Sequence, residues 1–176
     1  MKLLLNVCCG PCATVVIEQL KEEHVITLFF YNPNIEPIEE YKKRMEASEK
    51  LAKDLNLPII IGDYSNIQWH AAVKGMEQEP EGGKRCDICF RLRLEKTAQF
   101  AKNNGFEAFT STLNISPYKD ADKINRIGKE IEKKINISYI LTDFRKHYMH
   151  SVKLSKKHNL YRQRYCGCIY SKPDSL

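Results

Sequence analysis

No run of roughly 18 apolar residues occurs in the 176-residue chain, which excludes a helix of membrane-spanning length. The leucines of Met1–Leu5 make too short a stretch for a secretory leader. Cys8, Cys9 and Pro11 stand where the small residues of a cleavage site belong, so a cytoplasmic protein is expected. Internal repeats are lacking, and so is any linker long enough to separate two domains, which predicts one domain over 1–176. No cysteine lies outside three short groups: Cys8-Cys9-Gly10-Pro11-Cys12, Cys86-Asp87-Ile88-Cys89 and Cys166-Gly167-Cys168. The first 142 residues lack net charge, with 20 basic and 20 acidic side chains. The basic excess falls in a C-terminal segment, 143–176, which holds eight basic and two acidic side chains and the Cys-x-Cys pair. Such a segment is either a solvated tail or a contact for a phosphate backbone.

The remaining pattern alternates strand and helix. Lys2–Val7, Val25–Tyr31, Leu57–Ile61, Phe106–Thr110 and Ile137–Leu141 read as short buried strands. Ala13–Glu23, Glu36–Asn56, Asn66–Met76, Asp87–Asn104 and Asp120–Ile135 read as helices. Strands alternating with helices predict an α/β three-layer fold, Rossmann-like, with a mainly parallel sheet of about five strands. Sites in such sheets sit at the carboxyl ends of strands. The first cysteine group occupies that place after strand one, where nucleotide-binding relatives carry a glycine-rich phosphate loop. Here one glycine stands among three cysteines, which disfavours ATP and favours thiolate chemistry.

Seven cysteines, an odd number in a reducing compartment, do not read as a disulfide framework. All seven (Cys8, Cys9, Cys12, Cys86, Cys89, Cys166 and Cys168) are candidate metal ligands, the alternatives being purely redox thiols or core cysteines. Cys86 and Cys89, three apart near a helix start, point the same way, and the helix dipole there is expected to lower their pKa. A tetrahedral zinc or a cubane cluster takes four ligands, fewer than the seven available. Neighbouring side chains diverge, so Cys8 and Cys9 are not expected to converge on one cluster. Two arrangements stay open: four thiolates on a cluster with three on a second metal, or four on a cluster with Cys166 and Cys168 cycling between dithiol and disulfide. Thiolate spacing does not distinguish iron from zinc.

These residues carry a resemblance. Cys8-Cys9-Gly10-Pro11-Cys12, Tyr31-Asn32-Pro33-Asn34-Ile35 with Glu40-Tyr41 and Arg44, and Arg85-Cys86-Asp87-Ile88-Cys89 with Arg91-Leu92 are its first segments. Ser111-Thr112-Leu113, Ser116-Pro117-Tyr118-Lys119, Asp143-Phe144-Arg145-Lys146 and Tyr161–Cys168 complete it. Together they resemble the QueH family of cobalamin-independent epoxyqueuosine reductases. The resemblance implies a fold related to the adenine-nucleotide α-hydrolases and a two-electron removal of the epoxide oxygen of epoxyqueuosine at the tRNA wobble position, giving queuosine. It implies a 4Fe-4S cluster on Cys8, Cys9, Cys86 and Cys89, and a redox pair at Cys166 and Cys168. Cys12 stands where the family often has Asp. Either residue ligates iron, so an additional iron ion has a place.

Candidate donors of a proton to the leaving oxygen are Tyr41, Tyr118, Lys119 and Asp143. Asn32, Asn34 and Ser116 follow strand ends and are candidates for reading the cyclopentanediol, unless they only make turns. Arg91 and Arg93 are expected to face solvent, and Trp69 and His70 to serve packing. The expected partners are a tRNA carrying epoxyqueuosine and an unidentified electron donor, with no membrane. Arg145, Lys146, Lys153, Lys156, Lys157, Arg162 and Arg164 would meet its phosphates, with Tyr148 and Tyr161 available for stacking. Two competing readings are a zinc-stabilised RNA-binding module without catalysis and an iron–sulfur tRNA thiolation enzyme. The second needs ATP, against which the missing glycine-rich loop speaks.

Overall fold

The computed structural model describes residues 1–172; the last four residues of the basic segment 143–176 lie outside the described residues. Five parallel strands, Lys2–Asn6 (β1), Val25–Phe30 (β2), Ile59–Ile61 (β3), Ala108–Ser111 (β4) and Ser138–Tyr139 (β5), hydrogen-bond in the order β3-β2-β1-β4-β5. β1 is central, with Leu5 opposite Leu28 on one side and Thr110 on the other. Leu3, Leu4 and Leu5 have no exposed surface, as expected of a strand covered on both faces. Leu3 and Leu5 pack into one core and Leu4 into the other.

Three helices, Gly10–Leu20 (α1), Ile38–Asp54 (α2) and Tyr148–Lys157 (α6), cover the first face. Lys84–Asn103 (α4) and Ala121–Ile135 (α5) cover the other, with the short Ile67–Val73 (α3) packed beside α4. The expected three-layer fold is present, with α6 as a further helix in the basic segment, beyond the last of the expected strands.

Two helices start earlier than the periodicity indicates, and both shifts reposition cysteines. α1 begins at Gly10, not Ala13, because proline is tolerated in a first helical turn, where its missing N–H has no partner to lose. Cys12 therefore lies inside the helix. α4 begins at Lys84, not Asp87: the Gly83 carbonyl already accepts from the N–H groups of Cys86 (3.0 Å) and Asp87 (3.3 Å). Cys86 and Cys89 thus fall on its first two turns.

Gly10 also fixes how closely α1 and α2 approach. A Cβ there would lie 2.5 Å from the Ala47 carbonyl oxygen, a backbone atom that cannot swing away. Gly10→Ala is expected to destabilise the protein by about 1–3 kcal/mol through overpacking. A lower urea midpoint at unchanged slope would register it.

Candidate metal centre

Cys9 is the N-cap of α1 and has extended backbone, φ −174° and ψ 158°. The chain changes there from strand to helix, and this turn swings adjacent side chains toward each other. The Sγ atoms of Cys8 and Cys9 are 3.7 Å apart, and those of Cys8, Cys9 and Cys12 all lie within 4.8 Å of one another. The expectation that Cys8 and Cys9 diverge is thus corrected, since it holds for a regular strand and not for a strand-to-helix turn. Among the described residues this is the one group of three or more Cys, His, Asp or Glu side chains so placed. Cys8 and Cys9 are not gathered with Cys86 and Cys89 at that range.

The side-chain amide of Gln163 donates to Cys9 Sγ (2.9 Å) and faces Cys12 Sγ at 3.4 Å, while Thr112 Oγ1 lies 3.7 Å from Cys8 Sγ. Hydrogen bonds from Cys12 and Cys9 pull the Cys8 thiol well below its ordinary pKa, aided by the cations of Arg93 and Lys119. Burial, with the Cys8 charge close by, raises Cys9. The hydrogen bond with Cys8 pushes Cys12 up to about 12. Of the three, Cys8 is the thiol favoured to ionise, with Cys9 and Cys12 as its donors.

The other four cysteines line a second, narrow slot of about 40 Å³ with Asn34, Trp69 and Arg93. Burial raises Cys86 and pushes Cys89 up to about 11, so desolvation outweighs the expected effect of the helix dipole. Cys166 is brought down to about 6 by the hydrogen bond from Cys168, with Lys119 assisting. Cys168 is raised in turn.

Arg44 ties down this Cys-x-Cys loop. It is 1% exposed, pairs with Glu40 (2.6 Å), and donates to the carbonyls of Cys166 (3.1 Å) and Tyr165 (2.9 Å). Gly167 has φ +105°, and a Cβ there would meet Ile35 at 2.8 Å and Arg44 at 3.1 Å, so only glycine passes.

A cavity of about 440 Å³ adjoins the slot. Cys8, Cys12, Arg44, Thr112, Ser116, Tyr148, Gln163 and Arg164 line it, and Glu81, Arg93, Tyr118, Lys119 and Cys166 border both spaces. Tyr118 is 78% exposed at its mouth.

Several expected site residues lie elsewhere. Tyr41 is a core residue, its ring 5.2 Å from Phe30 and 4.0 Å from Tyr64, and burial pushes its hydroxyl up to about 12. Asp143 lines neither space and holds Arg145 in a two-pronged ion pair (2.9 and 2.6 Å). That contact also draws Arg145 from the set of free cations. Asn32 is 1% exposed and braces the loop by donating to the Val7 carbonyl (2.9 Å), whereas Asn34 lines the slot with an unpartnered Oδ1. Lys146 and Arg162 are exposed and line neither space. Arg91 faces solvent, paired with Glu130 (2.5 Å). Arg93 does not: it is 3% exposed and borders both spaces, because its face of α4 turns toward β1. Trp69 serves packing as expected, and it lines the slot as well. Gln163 stood out in sequence only as a member of the Tyr161–Cys168 segment of the resemblance, and nothing in spacing ties it to cysteines some 150 positions away.

A parallel three-layer sheet with thiols gathered at the carboxyl end of its central strand defines a Rossmann-like α/β protein with a thiolate site. A crystal structure described as a predicted subunit of tRNA methyltransferase from Methanocaldococcus jannaschii shares the fold. Its TM-score is 0.59 at 17% identity, over 89% of this chain and 74% of that one. The family model described as epoxyqueuosine reductase QueH matches residues 3–174. Proteins of that name are similar throughout. The one from Histophilus somni is 43% identical over 99% of this chain and 73% of its own length, and the one from Thermotoga maritima 42% over 96% and 89%. The chain belongs to the QueH family of epoxyqueuosine reductases and is an oxidoreductase. No described helix is long and apolar enough to cross a membrane.

The thiol electrostatics make a testable statement about the metal-free protein. Iodoacetamide should alkylate Cys166 at a rate that rises through pH 6 and is flat above about pH 7, because its thiolate is then fully formed. Cys89, at about 11, should stay unlabelled over that range. Peptide mass spectrometry at a series of pH values reads both.

Proposed function

We propose that this chain converts epoxyqueuosine to queuosine in the wobble position of a tRNA, taking up two electrons and two protons and releasing the epoxide oxygen as water. The observation that carries this reading is the division of seven thiols into a converging triad and a four-cysteine slot that share one border. The slot offers the four thiolates of a 4Fe-4S cluster, from Cys86, Cys89, Cys166 and Cys168. The triad of Cys8, Cys9 and Cys12 would offer three soft ligands to an additional iron, beside the larger cavity that Cys8 and Cys12 line. When bound, the cluster would supply single electrons from an external donor, and the iron Lewis acidity toward the epoxide oxygen.

The chain's own residues bind, orient and protonate. Tyr118 and Lys119, which border both spaces, are the proton donors of choice, and Ser116 stands with them on the cavity wall. Asn34 Oδ1, buried and unpartnered, suits a substrate hydroxyl. Arg164 and Tyr148 line the cavity on the side of the basic segment, placed for the phosphate and base of a splayed anticodon nucleotide. Lys146, Lys153, Lys156, Lys157 and Arg162 are exposed on the same basic segment and would meet further phosphates. The low pKa of Cys166 favours a second reading, in which Cys166 and Cys168 pass electrons as a dithiol and Cys8, Cys9, Cys86 and Cys89 hold the cluster.

Iron and sulfide analysis after anaerobic reconstitution, with an assay on tRNA containing epoxyqueuosine, tests both. Under the first reading about five irons and four sulfides per chain are expected, with Cys12→Ala losing one iron and keeping sulfide; under the second, about four of each. The double variant C166S/C168S should lose sulfide under the first reading and keep it under the second. Stoichiometric zinc without sulfide would overturn both. Independently, Arg164→Ala should weaken tRNA binding and reduce the slope of log K against log salt by about 1. Arg145→Ala, whose charge is spent on Asp143, should change that slope less. Filter binding over a range of salt concentrations distinguishes them.

A further inference from the structure

Arg93 is a buried cation with no carboxylate partner among the described residues. Its side chain is buried, Nη2 makes one long bond to Asn6 Oδ1 (3.3 Å), and Nε has no partner. Among the described residues no carboxylate lies within ion-pair distance of it. Arg44 is just as buried, but it is matched by Glu40 and two carbonyls. A buried guanidinium with neither a paired carboxylate nor a full set of acceptors is costly, so the slot it faces favours anionic ligands beyond the Cys8 thiolate and Glu81 already near it. Trp69 raises the same demand from another helix: it is 1% exposed, it lines the same slot, and its Nε1–H has no acceptor. A ring N–H buried without an acceptor is rare enough to need a reason.

The slot is walled by Cys86, Cys89, Cys166 and Cys168, which become anionic sulfurs once they bind metal. We propose that Arg93 and Trp69 are positioning residues for the electron-carrying group in this slot, supplying a fixed cation and an N–H donor to its sulfurs and thereby raising its reduction potential. This rests on the preceding assignment of an iron–sulfur group to these four cysteines. Reduction adds one negative charge to the slot, and a charge or dipole already in place favours the reduced form without reorganising. Arg93 also borders the triad side, where its cation helps lower Cys8, so it serves both thiol groups from one position.

The test is an EPR-monitored redox titration of anaerobically loaded wild type, R93Q, R93K and W69F, with iron and sulfide measured in each. R93Q should titrate at lower potential. At the wild-type midpoint its ratio of reduced to oxidised cluster should fall about tenfold, ~59 mV for one electron. R93K, which keeps the cation, should recover most of the shift, and W69F should show a smaller fall. A folded R93Q that holds no iron–sulfur group while R93K does supports the proposal too, since the cation is then needed for the anionic group to bind at all. Loaded variants that all titrate at the wild-type midpoint overturn it. So does equal failure of R93Q and R93K to load, with W69F at the wild-type midpoint. A wild-type chain free of iron and sulfide overturns the underlying assignment, a result that metal analysis separates from an unmoved potential.

Discussion

The turn from β1 into α1 is the constraint on which the rest of the site depends. β1 is the central strand, and the sheet order reverses beside it, so its carboxyl end opens at the point where connections leave in opposite directions. The chain passes from extended at Cys9 to helical at Gly10, and Gly10 lets the first turn of α1 press against the backbone of α2. That close approach holds three thiols together from a stretch of five residues. Asn6, the last residue of β1, adds a second constraint. Its side chain bonds the carbonyls of Phe29 and Tyr31 and accepts from Arg93, so strand, neighbouring loop and buried cation share one anchor.

Electrostatics then divide the labour among the cysteines. Burial alone would keep every thiol protonated, and it does so for Cys86, Cys89 and Cys9. Cys8 and Cys166 escape because each accepts a hydrogen bond from another thiol and lies near Lys119. Each group therefore has one thiol favoured to ionise, and metal binding displaces protons from the thiols it takes. The positive side chains around the site thus act on two kinds of anion: Arg93 and Lys119 on sulfur, Arg164 and the exposed cations of the C-terminal segment on phosphate.

Much of the fold was legible in the sequence. Continuous apolar runs such as Leu3–Leu5 and Leu28–Phe30 marked strands buried on both faces, and helical spacing marked the main helices. Helix starts were the weak point: backbone capping by Gly83 and the tolerance of Pro11 in a first turn override side-chain periodicity. The chemistry of the site was legible as residue type, because seven cysteines in three groups admit few explanations. Its geometry was not. Tyr41 looked like a proton donor from its neighbours in sequence, yet its place on α2 puts the ring among Phe30 and Tyr64. Arg93 looked like a solvated helix residue, yet α4 crosses β1 with that face inward.

The sequence by itself determined the layer architecture, the thiolate chemistry, the basic segment and the family, since each rests on local composition, spacing or motif. Only the tertiary structure decided which thiols meet. Cys8, Cys9 and Cys12 converge because a strand becomes a helix between them, and Cys166 reaches Cys86 and Cys89 because Arg44 and Gly167 fold the C-terminal loop back over α4. Contacts between residues some 80 to 150 positions apart depend on how helices pack across a sheet. No local spacing rule encodes that packing.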